Sequence, residues 1–146
     1  MEAFAEHRRA RFDYEILETY EAGIELKGFE VKAVKSGRCN LDGSFVVQQG
    51  SELKLLNADI PPYQPGNTPP GYDQKRSRRL LLRHDEIRYL IGKLHEGLTF
   101  VPLKLYNKGR LVKLLVGLAR RRKKTDKRDV IRKREVRREI ERTLKS

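Results

Sequence analysis

The sequence predicts a mainly β fold with helices: a small, partly open barrel carrying helical inserts, followed by a basic C-terminal tail that is disordered when free. Three observations carry that expectation. Short apolar runs with strand-like alternation recur between turn residues through the first 119 positions. Two segments among them switch to helical spacing. Beyond Ala119 the pattern gives way to charge, with only a thin apolar stripe.

Residues 12–27, "FDYEILETYEAGIELK", read as a strand, with Ile24 and Leu26 on one face of the sheet. Gly23 interrupts the run and predicts a bulge or bend of the kind small barrels need at their corners. "GFEVKAVKSG", residues 28–37, predicts a short helix bounded by glycine at both ends. "SFVVQQ" and "SELKLLNADI" predict a hairpin turning at Gly50, where Leu53 and Leu55 alternate with Glu52 and Lys54. Residues 61–79 hold five of the six prolines, which remove donors and disfavour helix, so this stretch predicts an irregular functional or mobile loop.

The clearest helix is "LLLRHDEIRYLIGKLHEG", residues 80–97. Ile87, Leu90, Ile91 and Leu94 follow i, i+3, i+4, i+7 spacing, and Gly97 is placed to cap the C-terminus. "LTFVPLKLY" and "RLVKLLVGLA" then close the domain as two strands joined by the turn "NKGR". The whole of residues 1–119 thus reads as an OB-type barrel, whose shallow face and loops commonly hold oligonucleotides.

The tail occupies residues 120–146. Val136, Ile140 and Leu144 form a stripe one residue wide, while Glu135–Glu139, Arg134–Arg138 and Arg138–Arg142 repel at i, i+4. Such a helix buries too little apolar area to offset its own ordering, so it is expected to fold only when phosphate neutralises the repulsion.

Charge distribution narrows the function. The chain carries a net +13, and residues 120–146 hold 14 Lys/Arg against 5 Asp/Glu, so +9 of that total sits in the tail. A balanced body with a concentrated basic extension fits a polyanion partner, because each neutralised phosphate releases counterions. The tail lacks Phe, Trp and Tyr, which argues against a membrane surface and for nucleic acid. Cys39 is the single cysteine, no disulfide can form within the chain, and the first residues lack a signal-peptide core, so a cytoplasmic location is expected.

Enzyme chemistry finds no foothold. His7, His84 and His95 are isolated, no metal-ligand spacing occurs, and "EAGIELKG" has the wrong glycine spacing for a phosphate loop. Asp85 and Glu86 suit the start of a helix. No cofactor is expected. The basic clusters are more informative: Arg8, Arg9 and Arg11 in "HRRARF", and Arg78 and Arg79 in "KRSRR", stand with the tyrosines Tyr63 and Tyr72 as candidates for phosphate contact and base stacking on structured RNA. A general structural RNA binder or ribosomal protein is the alternative within this class; an RNA hydrolase would need a catalytic constellation the sequence lacks.

"RRARFDYEILETYEAGIELKGFEVKAVKSGR", "RRLLL" with "HDEI", "LTFVPLKLY", "KLLVGLA" and "DKR" run collinearly. Together they resemble the SsrA-binding protein (SmpB) family over about residues 8–138. The resemblance implies an OB-type barrel that binds the tRNA-like domain of transfer-messenger RNA and escorts it to stalled ribosomes in bacterial trans-translation. Alanyl-tRNA synthetase and elongation factor Tu are then indirect partners through the shared RNA. It also implies that the tail folds as a helix in the empty mRNA channel of the small subunit, near the decoding centre. Glu21, Leu81 and Lys113 match family positions at the RNA surface. In the tail, Arg120, Arg122, Lys123 and Lys124 supply phosphate-binding charge, and Asp126, Lys127 and Arg128 match the family's "DKR", which acts in ribosomal accommodation. His7, Arg121 and Thr125 stand where the family usually has asparagine, glycine, and an aromatic residue or histidine.

Overall fold

Alternation and turn chemistry give seven antiparallel strands in the computed structural model, which describes residues 3–145. The strands are β1 (Ala3–Glu6), β2 (Tyr14–Ile24), β3 (Phe45–Gln49), β4 (Glu52–Leu56), β5 (Arg78–Leu81), β6 (Thr99–Lys108) and β7 (Leu111–Arg121). They lie in the order β1-β6-β7-β2-β5-β4-β3. The sheet curls until β3 approaches β6, which makes the partly open barrel that the sequence predicts. Four helices accompany it: α1 (Ala10–Asp13), α2 (Gly28–Lys35), α3 (His84–His95) and α4 (Lys124–Lys145). None is long and apolar enough to cross a membrane.

The barrel interior is filled from β2 to β7 and from two helices, with Ala22, Leu53, Leu80 and Leu114 in one cluster with Val34 of α2 and Leu90 of α3, and Phe4 and Ala5 of β1 packed against it. A second, smaller core lies on the opposite face of β6 and β7, where α1 lays Ala10 over Val101, Leu103 and Ala119. Helix α3 ends as its sequence requires. Gly97 adopts φ +91°, and the Leu98 N–H reaches back to the Lys93 carbonyl at 3.3 Å.

Several expectations are corrected. The N-terminus is not merely a basic end: residues 3–6 pair with β6 as β1, and α1 precedes a strand that begins at Tyr14 rather than Phe12. Gly23 makes no bulge; the irregularity in β2 falls between Ile16 and Glu18. Residues 78–81, "RRLL", are strand rather than the end of the loop and the start of the helix, because Arg78 and Leu80 are buried while Arg79 and Leu81 are exposed, which is period two. Helix starts only at His84, where the Glu86 carboxylate accepts the Arg83 N–H at 3.3 Å. A continuous apolar run cannot distinguish these outcomes by periodicity.

The proline-rich connection is tied down through Glu30, an acid on the buried face of α2. Its carboxylate accepts the Lys27 N–H at 2.8 Å, pairs with Arg76, and takes Arg78 Nη2 at 2.7 Å and Nε at 2.9 Å. Arg78 also donates to the Ala58 and Gln74 carbonyls, and the Tyr72 hydroxyl lies 2.9 Å from Glu30. Arg78 and Glu30 are both 0% exposed. Arg78 is therefore a core residue and not a surface phosphate ligand, and Tyr72 is a half-buried partner of Glu30 rather than an exposed stacking ring. Burial pushes the Glu30 carboxyl up, but the bonds from Arg76, Lys27 and Arg78 outweigh it and hold the group at about 2.

The tail is expected to be coil when free and helix when docked on phosphate. Residues 124–145 form one continuous helix. Asp126 accepts the Lys123 N–H at 3.2 Å at its start, and Arg, Lys and Glu are good helix formers that supply the rest locally. Its stripe is unpartnered: Val136 and Ile140 are each 55% exposed. The Leu144 side chain and Ser146 lie outside the described part.

Candidate nucleic-acid interface

Strand register assembles the site. Gly23 of β2 lies opposite Leu81 of β5 on one side and Lys113 of β7 on the other, and Lys113 lies opposite Tyr106 of β6. Directly paired residues share a face, so Leu81, Gly23, Lys113 and Tyr106 form one row across four strands. Glu21, two residues before Gly23, stands on the same face. The row lies on the outer face of the sheet, away from the barrel core.

Leu81 is 46% exposed, a large apolar side chain presented to solvent. Its position depends on Gly23. A Cβ at residue 23 would meet the Leu81 Cβ at 3.0 Å, and the Leu81 carbonyl oxygen at 3.5 Å. Glycine here serves a close approach, not a bend. Gly23→Ala is expected to displace Leu81 and weaken RNA binding roughly three- to tenfold, with little change in circular dichroism. Unaltered affinity in a filter-binding titration would show that Leu81 does not need this seat.

Charge surrounds the row. Lys104, Tyr106 and Lys108 alternate on β6, and Lys104 sits 5.5 Å from the Tyr106 ring centre. Lys108 Nζ lies 3.0 Å from Glu21 Oε1, and the Tyr106 hydroxyl donates to Glu21 Oε2 at 2.5 Å. The bond from Tyr106, then that from Lys108, holds the Glu21 carboxyl below its ordinary value, while burial and Glu21 raise the Tyr106 hydroxyl. Lys113 has no ion pair among the described residues, so its charge is available to a ligand.

Beside the row, β5 and α3 enclose a groove of ≈ 990 Å³. Glu21, Arg79 and Leu81 of the sheet line it together with Arg83, Arg88 and Ile91 at and within α3. Apolar walls with arginines at the mouth suit an unstacked base and its phosphates. Arg79 is itself engaged, at 3.1 Å from Glu25 and 3.8 Å from Glu52. Sequence reading missed Lys104, Lys108, Arg83 and Arg88. The two lysines were signalled by period-two alternation in "LKLYNK", whereas the two arginines are brought to the groove only by the strand-to-helix break.

The N-terminal arginines lie elsewhere, around α1. Arg8 and Arg11 are exposed, and Arg9 stacks 5.0 Å over Phe12 while reaching Asp13 at 3.8 Å. This is also where the tail leaves the barrel. Arg122 donates its N–H to the Asp13 carbonyl at 2.9 Å, and Lys127 Nζ lies 3.1 Å from the Asp13 carboxylate. Arg120 and Arg121 still belong to β7, opposite Glu15 and Tyr14, so the ladder outlasts Ala119 by two residues. Arg121 is extended strand, so no left-handed hinge is lost by its side chain. Lys123, Lys124, Thr125 and Arg128 are exposed at the start of α4. His7 Nδ1 lies 2.9 Å from the Pro102 carbonyl and anchors the turn after β1.

No group of His, Cys, Asp and Glu among the described residues has the arrangement of a metal site. Comparison with known proteins gives one answer at three levels. The family model described as "SmpB protein" matches residues 4–146. An SsrA-binding protein of Carboxydothermus hydrogenoformans is 50% identical over 97% of this chain and 95% of its own length. That of Synechocystis sp. is 46% identical over 97% of this chain and 92% of its own length. A chain from the solved structure "tmRNA-SmpB: a journey to the center of the bacterial ribosome" shares 47% identity and a TM-score of 0.67, covering 87% of this chain and 93% of that one. An outer-face row of apolar and basic residues, an adjacent groove and a charged helix at the tail thus occur in a chain that belongs to the SmpB protein family.

Proposed function

We propose that this chain is a non-enzymatic adaptor that binds the tRNA-like domain of transfer-messenger RNA and delivers it to stalled ribosomes for trans-translation. The observation that carries this reading is the convergence of Glu21, Leu81 and Lys113, distant in sequence, on one face around Gly23. Lys113 pairs with phosphate, Leu81 packs on an unstacked base, and Glu21 accepts from base N–H groups. Arg79 lies within reach of the same RNA along the groove, and Arg8, Arg9 and Arg11 extend the positive surface near α1.

The second half of the task falls to α4. Its charge and exposed stripe suit an RNA-walled channel free of message, where Arg122, Lys123, Lys124 and Arg128 meet ribosomal phosphate. Asp126 starts the helix and Lys127 ties its root to Asp13. Alanyl-tRNA synthetase and elongation factor Tu act on the same RNA without touching this row.

Two measurements test the reading. A large excess of unrelated tRNA is expected to leave binding of the tRNA-like domain intact; equal competition would make this a general RNA binder. Truncation after Arg121 is expected to preserve that preference and abolish tagging of stalled chains in a reconstituted translation system. Loss of both together would contradict the division of labour.

A further inference from the structure

A carboxylate on a phosphate-binding face must be explained, because it repels the polyanion and attracts the lysines meant for it. Glu21 has Lys104, Lys108 and Lys113 on its own face of the sheet. A freely rotating Glu21 side chain would pair with Lys113, the lysine of the row, which has no ion-pair partner among the described residues. The structure shows what prevents this. Tyr106 is 2% exposed, so its ring is fixed by packing, and its hydroxyl meets Glu21 Oε2 at 2.5 Å. Lys108 takes the other oxygen at 3.0 Å. One bond to each oxygen holds the carboxylate in place and leaves acceptor capacity on both, since a carboxylate offers about four lone-pair sites.

We propose that Tyr106 and Lys108 are positioning residues for RNA recognition, holding Glu21 as a preorganised acceptor for the N–H groups of an unpaired base while Lys113 stays free for phosphate. The inference rests on the RNA-binding reading above and deepens it: Glu21 selects a base edge, and its effect requires the clamp. A flexible glutamate would give up part of the same contact to ordering.

The test is a double-mutant cycle on the full-length protein, with the isolated tRNA-like domain of transfer-messenger RNA as probe. Tyr106→Phe keeps the ring and removes the donor. It is expected to weaken binding roughly five- to twentyfold in the Glu21 background, and to change nothing when Glu21→Ala, which removes the acceptor, is already present. Lys108→Gln is expected to show the same dependence on Glu21, and it serves where Tyr106→Phe lowers the melting temperature. Equal losses in both backgrounds would overturn the clamp, because Tyr106 would then act through something other than Glu21. Tighter binding by Glu21→Gln alone would overturn the acceptor role. Failure of the wild-type protein to prefer this RNA over unrelated tRNA would instead remove the underlying reading, and the clamp's purpose with it.

Discussion

Replacing Glu30 by alanine is expected to destabilise the protein by about 3–5 kcal/mol, because it strands a buried guanidinium. Arg78 is 0% exposed and directs its donors at Glu30, Ala58, Gln74 and Tyr72. Without the carboxylate its charge keeps carbonyl partners but loses its one ion-pair partner among the described residues. Urea denaturation at neutral pH measures the loss, and a change below about 1 kcal/mol would mean that Arg78 escapes to solvent. Glu30→Gln should fall between, since the amide oxygen still accepts one bond.

The same group sets the acid limit. The Glu30 carboxyl lies at about 2, against an ordinary value of 4.5. A depressed carboxyl contributes its stability above the unfolded value, and that contribution is lost as pH falls through the folded one. The wild-type protein should therefore lose about 3 kcal/mol from this site between pH 4.5 and 2, and Glu30→Gln should flatten that part of the profile. The consequence for function is direct. Leu81 lies three residues beyond Arg78 on the same short strand, so the buried pair fixes the strand that presents the apolar end of the RNA row.

What the sequence made legible follows the periodicity of its apolar residues. Helix α3 and its glycine cap, the β3–β4 hairpin and the β6–β7 pair were all readable from spacing and turns. The row around Gly23 was not, because register couples residues separated by tens of positions and nothing local records it. Glu21, Leu81 and Lys113 entered through family resemblance alone. Arg78 illustrates a different limit. Charge in "KRSRR" reads as surface until Glu30 is seen three and four residues before the buried Ala33 and Val34, on the face that α2 turns inward. That acid among buried neighbours was the available signal for a paired arginine. In the tail two local signals oppose each other: good helix formers favour the helix, while repulsion along its faces is the reason to expect coil when no phosphate is bound.

Charge reversal at Lys113 separates contact from general attraction. Lys113→Glu and Lys32→Glu change the net charge of the chain by the same amount, so long-range steering falls almost equally in both. Lys32 is exposed on α2, whereas Lys113 lies in the row between Gly23 and Tyr106. Lys113→Glu is expected to weaken binding to the tRNA-like domain roughly 30- to 100-fold and to make the slope of log K against log salt shallower by about one to two. Lys32→Glu should cost no more than about threefold. The placement of Glu21 strengthens the contrast, because a second carboxylate beside the clamped one confronts the RNA with two like charges and leaves the row without its unpaired cation. Equal losses for the two variants would mean that the basic body attracts RNA without the outer face reading it, and that α4 and the N-terminal arginines dominate affinity. A large loss at Lys113 with an unchanged salt slope would assign that lysine to a base edge rather than to phosphate.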